Sequence, residues 1–250
     1  MFEFAARREL PVVLLIDDDL VSREVTATLL TMTGYSVHTA EDGAASLKML
    51  AGGEFKPGAV LMDAQMPGLS GTDLITEIRA LTKAPIYAIS GSEVPAEIAA
   101  ASDGFLLKPF DAEALHKLLD GQESDADLKL LDPNEPVVSE EILSQFRKLM
   151  PEPAVRQIYT AVVSDLTRRI EALGAAIARG DTTEVRRIGH AIKGGCGMAG
   201  ALQCAHLGAL LESTPIATKD NQLDNSAAVL HDLRAAARGL ERMLDAELHA

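Results

Sequence analysis

Between residues 12 and 120 short apolar runs and stretches of helical period alternate five times, and then the alternation stops. The apolar runs are VVLLI (12–16), YSVHT (35–39), AVLM (59–62), IYAIS (86–90) and FLL (105–107), and the helical patterns cover 20–33, 42–51, 69–81, 94–101 and 111–120. Five strands alternating with five helices predict an α/β domain, a doubly wound parallel sheet covered on both faces. In such sheets functional groups collect at the carboxyl ends of the strands. Beyond residue 138 no strand pattern appears. Helical stretches at 139–149, 153–178, 182–197, 200–213 and 224–248, broken by Pro151, Pro153, Gly180 and Pro215, predict an all-α bundle. The polar segment 122–137, QESDADLKLLDPNEPV, reads as an acidic linker, so the expected division is 10–121, linker 122–137, and 138–250.

Composition agrees with two cores. The chain has 250 residues, 47% hydrophobic and 24% charged, which suits two domains and not a disordered tail. The net charge of −14 is uneven, with −9 in residues 1–121, −4 in 122–137 and −1 in 138–250. Phosphate contact requires clustered Lys and Arg, so nucleic-acid binding is not expected. No apolar run approaches the roughly 18 residues of a membrane span, and MFEFAARRELP lacks the apolar stretch of a secretory signal, so a cytoplasmic location is expected. Cys196 and Cys204, eight residues apart, match neither a metal spacing nor a disulfide framework and read as buried free thiols.

Several chemistry-bearing residues fall at strand ends. Asp17, Asp18 and Asp19 follow the first strand, Asp63 the third, Ser90 the fourth, and Lys108 the fifth, with Pro109 behind it. Carboxylates converging at a sheet edge repel unless a cation joins them, and hard oxygen ligands suit Mg2+. A lysine and a hydroxyl at the same rim can hold phosphoryl oxygens, which assembles a nucleophilic carboxylate, a metal and a cationic clamp. Helix capping explains Asp19 or Ser90 individually. It does not explain a lysine closing an apolar strand directly before Pro-Phe.

LLIDDDLVSRE, LMDAQMPGLSG, YAISGS and FLLKPF together resemble the receiver domain of bacterial response regulators, over residues ~10–121. The resemblance implies a flavodoxin-like five-stranded sheet with Asp63 as phosphoacceptor. It implies Asp17 and Asp18 as the acidic pair and Mg2+ held with Asp63 and the main-chain carbonyl of Gln65. Lys108 would contact the phosphate, Ser90 stands at the Ser/Thr position, and Phe105 at the aromatic switch position. The segment from Ser90 to Phe105 is shorter than in typical receivers, which predicts a truncated fourth helix. A second class competes for the same residues. Asp17-Asp18-Asp19-Leu20-Val21 fits DxDx[TV], the nucleophile motif of haloacid-dehalogenase-type phosphatases, with Asp17 as nucleophile and Asp19 as acid/base. That family needs a later acidic pair, for which only Asp111 and Glu113 follow Lys108, and it leaves LMDAQMPG unexplained.

Of six histidines, His38, His116, His206, His231 and His249 have ordinary contexts, whereas His190 lies in DTTEVRRIGHAIKGGCGMAG. Asp181 and Glu184 form a D-x-x-E capping box at the start of its helix. At about 100° per residue Val185, Ile188, Ile192 and Cys196 share one side, and His190 points nearly opposite, with Lys193, Gly194 and Gly197 and flanked by Arg186 and Arg187. An imidazole that accepts a phosphoryl group must be exposed. Glycines beside it lower the helix surface for a partner, at about 1 kcal/mol each relative to Ala. Basic neighbours complement an acidic partner. The plain alternative is a surface histidine near a frayed, glycine-rich helix end.

HAIKGGCGMAGALQCAHLGALLE resembles the signature of histidine phosphotransfer (HPt) domains, within a four-helix bundle covering roughly 138–250. This implies that His190 carries a phosphoryl group and that Lys193 and Gly194 shape its docking surface. The two resemblances imply a phosphorelay protein, served upstream by a sensor histidine kinase because no G-x-x-x-x-G-K-[ST] motif occurs. Downstream they imply a response regulator or another receiver domain, with Asp63 and His190 as transfer intermediates of no multi-turnover activity. Either Asp63 passes its group to His190, or receiver phosphorylation gates an HPt domain that serves other proteins.

Overall fold

The computed structural model describes residues 10–53, 55–91, 94–120, 136–213 and 219–248. Its first half contains β1 (Val12–Ile16), α1 (Leu20–Met32), β2 (Ser36–Ala40), α2 (Gly43–Gly52), β3 (Ala59–Asp63), α3 (Gly71–Leu81), β4 (Ile86–Ser90), α4 (Ala96–Ala101), β5 (Gly104–Leu107) and α5 (Ala112–Leu119). The strands form one parallel sheet in the order β2-β1-β3-β4-β5. Registers such as Val13 with Ala59 and Val60 with Ile86 bring the strand ends, and hence the expected functional residues, to one edge. The chain reverses direction across the sheet between β1 and β3, which opens a crevice there.

The sheet has two apolar faces because successive side chains point to opposite sides. Val13, Leu15, Ala59, Leu61, Tyr87 and Ile89 pack under α1 and α5. Leu14, Ile16, Val60, Met62, Ile86 and Ala88 pack under α2, α3 and α4. This explains why the central strands read as continuous apolar runs. Helix starts are set by Asp19, Asp42 and Asp111, whose side chains accept the backbone N–H of Ser22, Ala45 and Ala114. The fourth helix is six residues long, as the short segment predicts.

The second half is all helical among the described residues: α6 (Glu140–Leu149), α7 (Glu152–Arg179), α8 (Thr182–Met198), α9 (Leu202–Ser213) and α10 (Lys219–Leu248). Most of the expected linker, residues 122–135, lies outside the described residues, as does residue 121. The short α6 lies across α7, with the Phe146 and Tyr159 rings 6.4 Å apart, and Tyr159 Oη donates to the Ala199 carbonyl at 2.9 Å. The capping box of α8 is half formed. Asp181 accepts the Glu184 N–H at 3.0 Å, but the Glu184 carboxylate turns to Arg187, where a bidentate pair outcompetes a single backbone donor.

Helices α8 and α9 approach at backbone distance. A Cβ on Gly208 would lie 2.6 Å from Lys193 N and 2.8 Å from Gly189 O, and one on Gly189 would lie 2.6 Å from Leu211 Cβ. Both cysteines are buried and free at this packing, as the sequence predicts. The apolar cluster does not end at the sheet domain: the α1–α5 layer and the bundle interior form one contiguous core. Gly208→Ala is expected to lower stability, because overpacking costs about 1–3 kcal/mol against a helix-propensity gain of about 1 kcal/mol. Its thermal midpoint should fall, and an unchanged or raised midpoint would refute the backbone contact.

Candidate phosphotransfer site

The edge of the sheet gathers its carboxylates around one cation. Lys108, placed at the end of β5, donates from Nζ to Asp17 Oδ2 and Asp63 Oδ2, both at 2.7 Å. Its burial penalises the charged form, but the two carboxylates outweigh this and raise its pKa. Asp17 is fully buried. Its Oδ1 accepts the Asp19 N–H at 2.9 Å, and its Oδ2 also accepts the Ser22 hydroxyl at 2.7 Å. Burial, reinforced by Asp63 and Asp19 and opposed by Lys108, pushes the Asp17 pKa up to about 6. Burial likewise raises Asp18, with Asp63 and Asp19 adding to the effect. Asp63 accepts the Gln65 N–H on Oδ1 at 2.7 Å.

Oxygens of Asp17, Asp18 and Asp63 lie within 4.8 Å of one another. Three carboxylates against one lysine leave an excess of two negative charges when all are ionised, and the donor set is oxygen alone. The residues therefore fit a divalent, hard cation. The phosphatase assignment fits less well. Asp17 is sealed from solvent with both oxygens engaged, whereas an attacking carboxylate must face its substrate.

The bundle closes over this edge. A cavity of about 60 Å³ is lined by Asp18, Asp63 and Lys108 on one side and by Arg187, His190 and Gly194 on the other. That is several times the roughly 10–15 Å³ a single water requires. A Cβ on Gly91 would lie 3.6 Å from His190 Cε1 and 3.9 Å from Gly194 Cα. Glycines at both positions let the two backbones meet.

His190 is oriented by a residue that the sequence did not single out. Its Nδ1 lies 2.8 Å from Glu212 Oε1, and Lys193 Nζ donates to the other oxygen of Glu212 at 3.0 Å. Glu212 is half-buried, which by itself raises a carboxyl pKa, but the hydrogen bonds from His190 and Lys193 prevail and lower it. An ionised carboxylate only accepts, so Nδ1 is the donor of this pair, and an imidazole that carries only that proton has its lone pair on Nε2. The Gly189–Gly208 approach brings α9 near enough to supply this carboxylate.

The structure corrects the expected exposure of His190 and the expected outward role of Lys193, and it places the remaining residues as follows. The His190 side chain is only 21% exposed, because the sheet domain covers the face predicted to be open. Lys193 serves Glu212 within its own domain instead of facing a partner. Both arginines are exposed, but Arg187, paired with Glu184, also lines the cavity and Arg186 does not. Gly197 is buried, where a Cβ would sit 3.9 Å from Pro109 of the other domain, and Gly194 meets Gly91. Ser90 is fully buried at the end of β4, and the next residue, Gly91, lines the cavity. Phe105 is half-exposed on β5, away from the cavity lining. Glu212, Gly91 and Gly195 lie within the quoted stretches but are not singled out there. Glu212 closes the HPt-like stretch, but only the α8–α9 packing connects it with His190.

Residues 13–120 match the family described as response regulator receiver domain, and residues 157–248 match the Hpt domain. The chain carries a receiver domain followed by an Hpt domain. Such domains are the components of two-component phosphorelays. Sensor histidine kinase AruS of Pseudomonas aeruginosa is 27% identical over 193 residues, covering 74% of this chain and 19% of AruS. Response regulator MprA of Mycobacterium sp. strain KMS is 35% identical over 108 residues, covering 41% of this chain and 46% of MprA. The chain thus spans about a fifth of one relative and just under half of the other. The solved receiver domain of sensor histidine kinase PA1611 from Pseudomonas aeruginosa PAO1, with a magnesium ion in its active-site cleft, is 27% identical. It covers 44% of this chain and 94% of its own, with a TM-score of 0.40. Among the described residues, no helix is long and apolar enough to cross a membrane.

The Hpt-domain pair has a defined pH dependence. Glu212 has its pKa lowered from 4.5 on folding, so its bond to His190 contributes fully above that value and is lost as pH falls through the lowered value. Nitrogen NMR of His190 should report a protonated Nδ1 near neutral pH and loss of the Glu212 contact only in acid. A Nε2–H tautomer at neutral pH would contradict the assignment.

Proposed function

We propose that this chain is a phosphorelay intermediate in which Asp63 of the receiver domain and His190 of the Hpt domain exchange a phosphoryl group within one molecule. The observation that carries the reading is the cavity whose walls include both residues. A phosphoryl group on an Asp63 oxygen is attacked by His190 Nε2. The N–P bond forms as the P–O bond to Asp63 breaks, and Asp63 leaves as a carboxylate. Glu212 holds the Nδ1 proton throughout and offsets positive charge on the phosphorylated ring. Lys108, already between Asp17 and Asp63, supplies a fixed cation for the charge developing on Asp63 and the phosphoryl oxygens. Arg187, in the opposite wall, adds a second.

Mg2+ would be held by Asp18, Asp63 and the main-chain carbonyl of Gln65, with Asp17 completing the acidic pair; when bound it neutralises phosphoryl and carboxylate charge. Ser90 is assigned to a phosphoryl oxygen and Phe105 to the switch position by family likeness alone. Pairing of an acidic receiver edge with a cavity wall that contains Arg187 supports docking in cis. A sensor histidine kinase is the proposed source of the phosphoryl group, and a further receiver domain the proposed recipient. The same closure favours a second, compatible role. With His190 only 21% exposed, another protein reaches it only after the domains part, so the state of Asp63 can govern that access.

Labelling with acetyl phosphate and Mg2+ tests the reading. Wild type should form acid-labile, base-stable phosphohistidine. Asp63→Ala should lose all label, and His190→Ala should retain only base-labile acyl phosphate. Phosphohistidine persisting in Asp63→Ala would remove Asp63 from the route.

A further inference from the structure

Asp19 has no part in holding Lys108, although it follows Asp17 and Asp18 directly. Its Oδ1 accepts the Ser22 N–H at 2.7 Å, which caps α1 and fixes the carboxylate within the receiver domain. Its Oδ2 is turned outward and accepts from Arg169 Nη2 on α7 of the Hpt domain, at 2.5 Å. Arg169 is held from behind as well, because its Nε donates to Asp165 Oδ2. The guanidinium fork is therefore aimed at the receiver domain by its own domain before any docking. The side chains are 18% exposed for Arg169 and 10% for Asp19 and Asp165, so solvent screens this bridge little.

A second feature meets Asp19 at the same point. A Cβ on Gly195 of α8 would lie 2.8 Å from Asp19 Oδ1 and 3.3 Å from Val21 Cβ. The helix surface is cut down to backbone where the Asp19 turn seats. This glycine lies beside the exchange site without lining the cavity, so chemistry at His190 does not require it.

We propose that the Asp19–Arg169 ion pair, braced by Asp165 and seated on Gly195, is the specificity determinant that selects this chain's own receiver domain as the partner of His190. The inference rests on the exchange reading above and deepens it. The chemistry is discriminating. A receiver with a basic residue at this position meets like charge, and one with a neutral apolar residue leaves buried guanidinium donors without their acceptor. The partner recognised is thus a receiver domain with a carboxylate immediately before α1. Because Asp19 is next to Asp18, the pair also fixes the acidic turn with respect to His190, so Arg169 is a positioning residue.

The test uses the full chain with Arg169→Gln, Arg169→Lys, Asp19→Asn and the double variant Asp19→Asn/Arg169→Gln. Asn retains the capping oxygen, so α1 keeps its start. Two quantities are measured: the rate of phosphohistidine formation after acetyl phosphate, and amide hydrogen exchange in α1 and α8. Arg169→Gln and Asp19→Asn should each slow transfer about tenfold or more and speed exchange in both helices. The double variant should be no worse than the slower single one, and Arg169→Lys should recover part of the rate. Asp63 acyl phosphate formation in Arg169→Gln should stay within about twofold of wild type, since Arg169 touches no reacting group.

Unchanged transfer and protection in Arg169→Gln, or single effects that multiply in the double variant, would overturn the proposal. If wild type makes no phosphohistidine yet α1 and α8 are protected and open in Arg169→Gln, the exchange reading falls and the docking pair stands. If these helices are unprotected in wild type, the docking pair falls.

Discussion

Excess negative charge at one edge of the sheet organises this molecule. Asp17, Asp18 and Asp63 are drawn together by strand register, and Lys108 answers them from within the domain by pairing with Asp17 and Asp63. Burial makes the imbalance costly, as the raised pKa of Asp17, about 6, expresses. A site of this kind gains from any further positive charge brought to it. Such charge comes here from the basic wall of the Hpt domain, and a divalent cation, which the donor set fits, would add to it when bound. Arg187 enters the cavity, and Arg169 reaches the next carboxylate along the chain.

Charge explains orientation, and apolar packing explains why the two domains can remain together. The α1 layer of the receiver domain and the bundle interior are one contiguous core, and between them Pro109, Phe110, Phe146 and Met198 line a cavity of about 220 Å³. Burial of apolar surface is non-directional. It would tolerate many sliding arrangements of helix on helix. The buried Asp19–Arg169 bridge and the glycine contacts at 91, 194 and 195 restrict these to the arrangement in which the two transfer residues share a cavity.

Much of this was legible in the sequence because it is written locally. Short continuous apolar runs that lead to Asp63, Ser90 and Lys108 place those residues at one sheet edge once the strands are parallel, and the structure puts them there. The glycines after His190 likewise announced a close approach. What the sequence could not show depends on contacts between segments far apart in the chain. Glu212 lies 22 residues from His190 on another helix, and only the Gly189–Gly208 packing joins them. Arg169 and Asp19 are 150 residues apart. Arg169 belongs to no motif and reads in isolation as an ordinary surface charge, and Asp19, although part of LLIDDDLVSRE, reads there as a helix cap. The expectation of an open His190 failed for the same reason. Helical periodicity identifies a face that is apolar or polar within its own helix, but not what another domain lays upon it.

The central claim is that the receiver and Hpt domains of one chain are mutual partners. The most direct measurement is the rate constant for phosphoryl movement from Asp63 to His190 in a single turnover, followed across a hundredfold range of protein concentration. Transfer within the docked chain predicts a first-order constant independent of concentration and unaffected by added Asp63→Ala chain. A rate that rises in proportion to concentration, and that supplies His190 of the added chain equally well, would contradict the account.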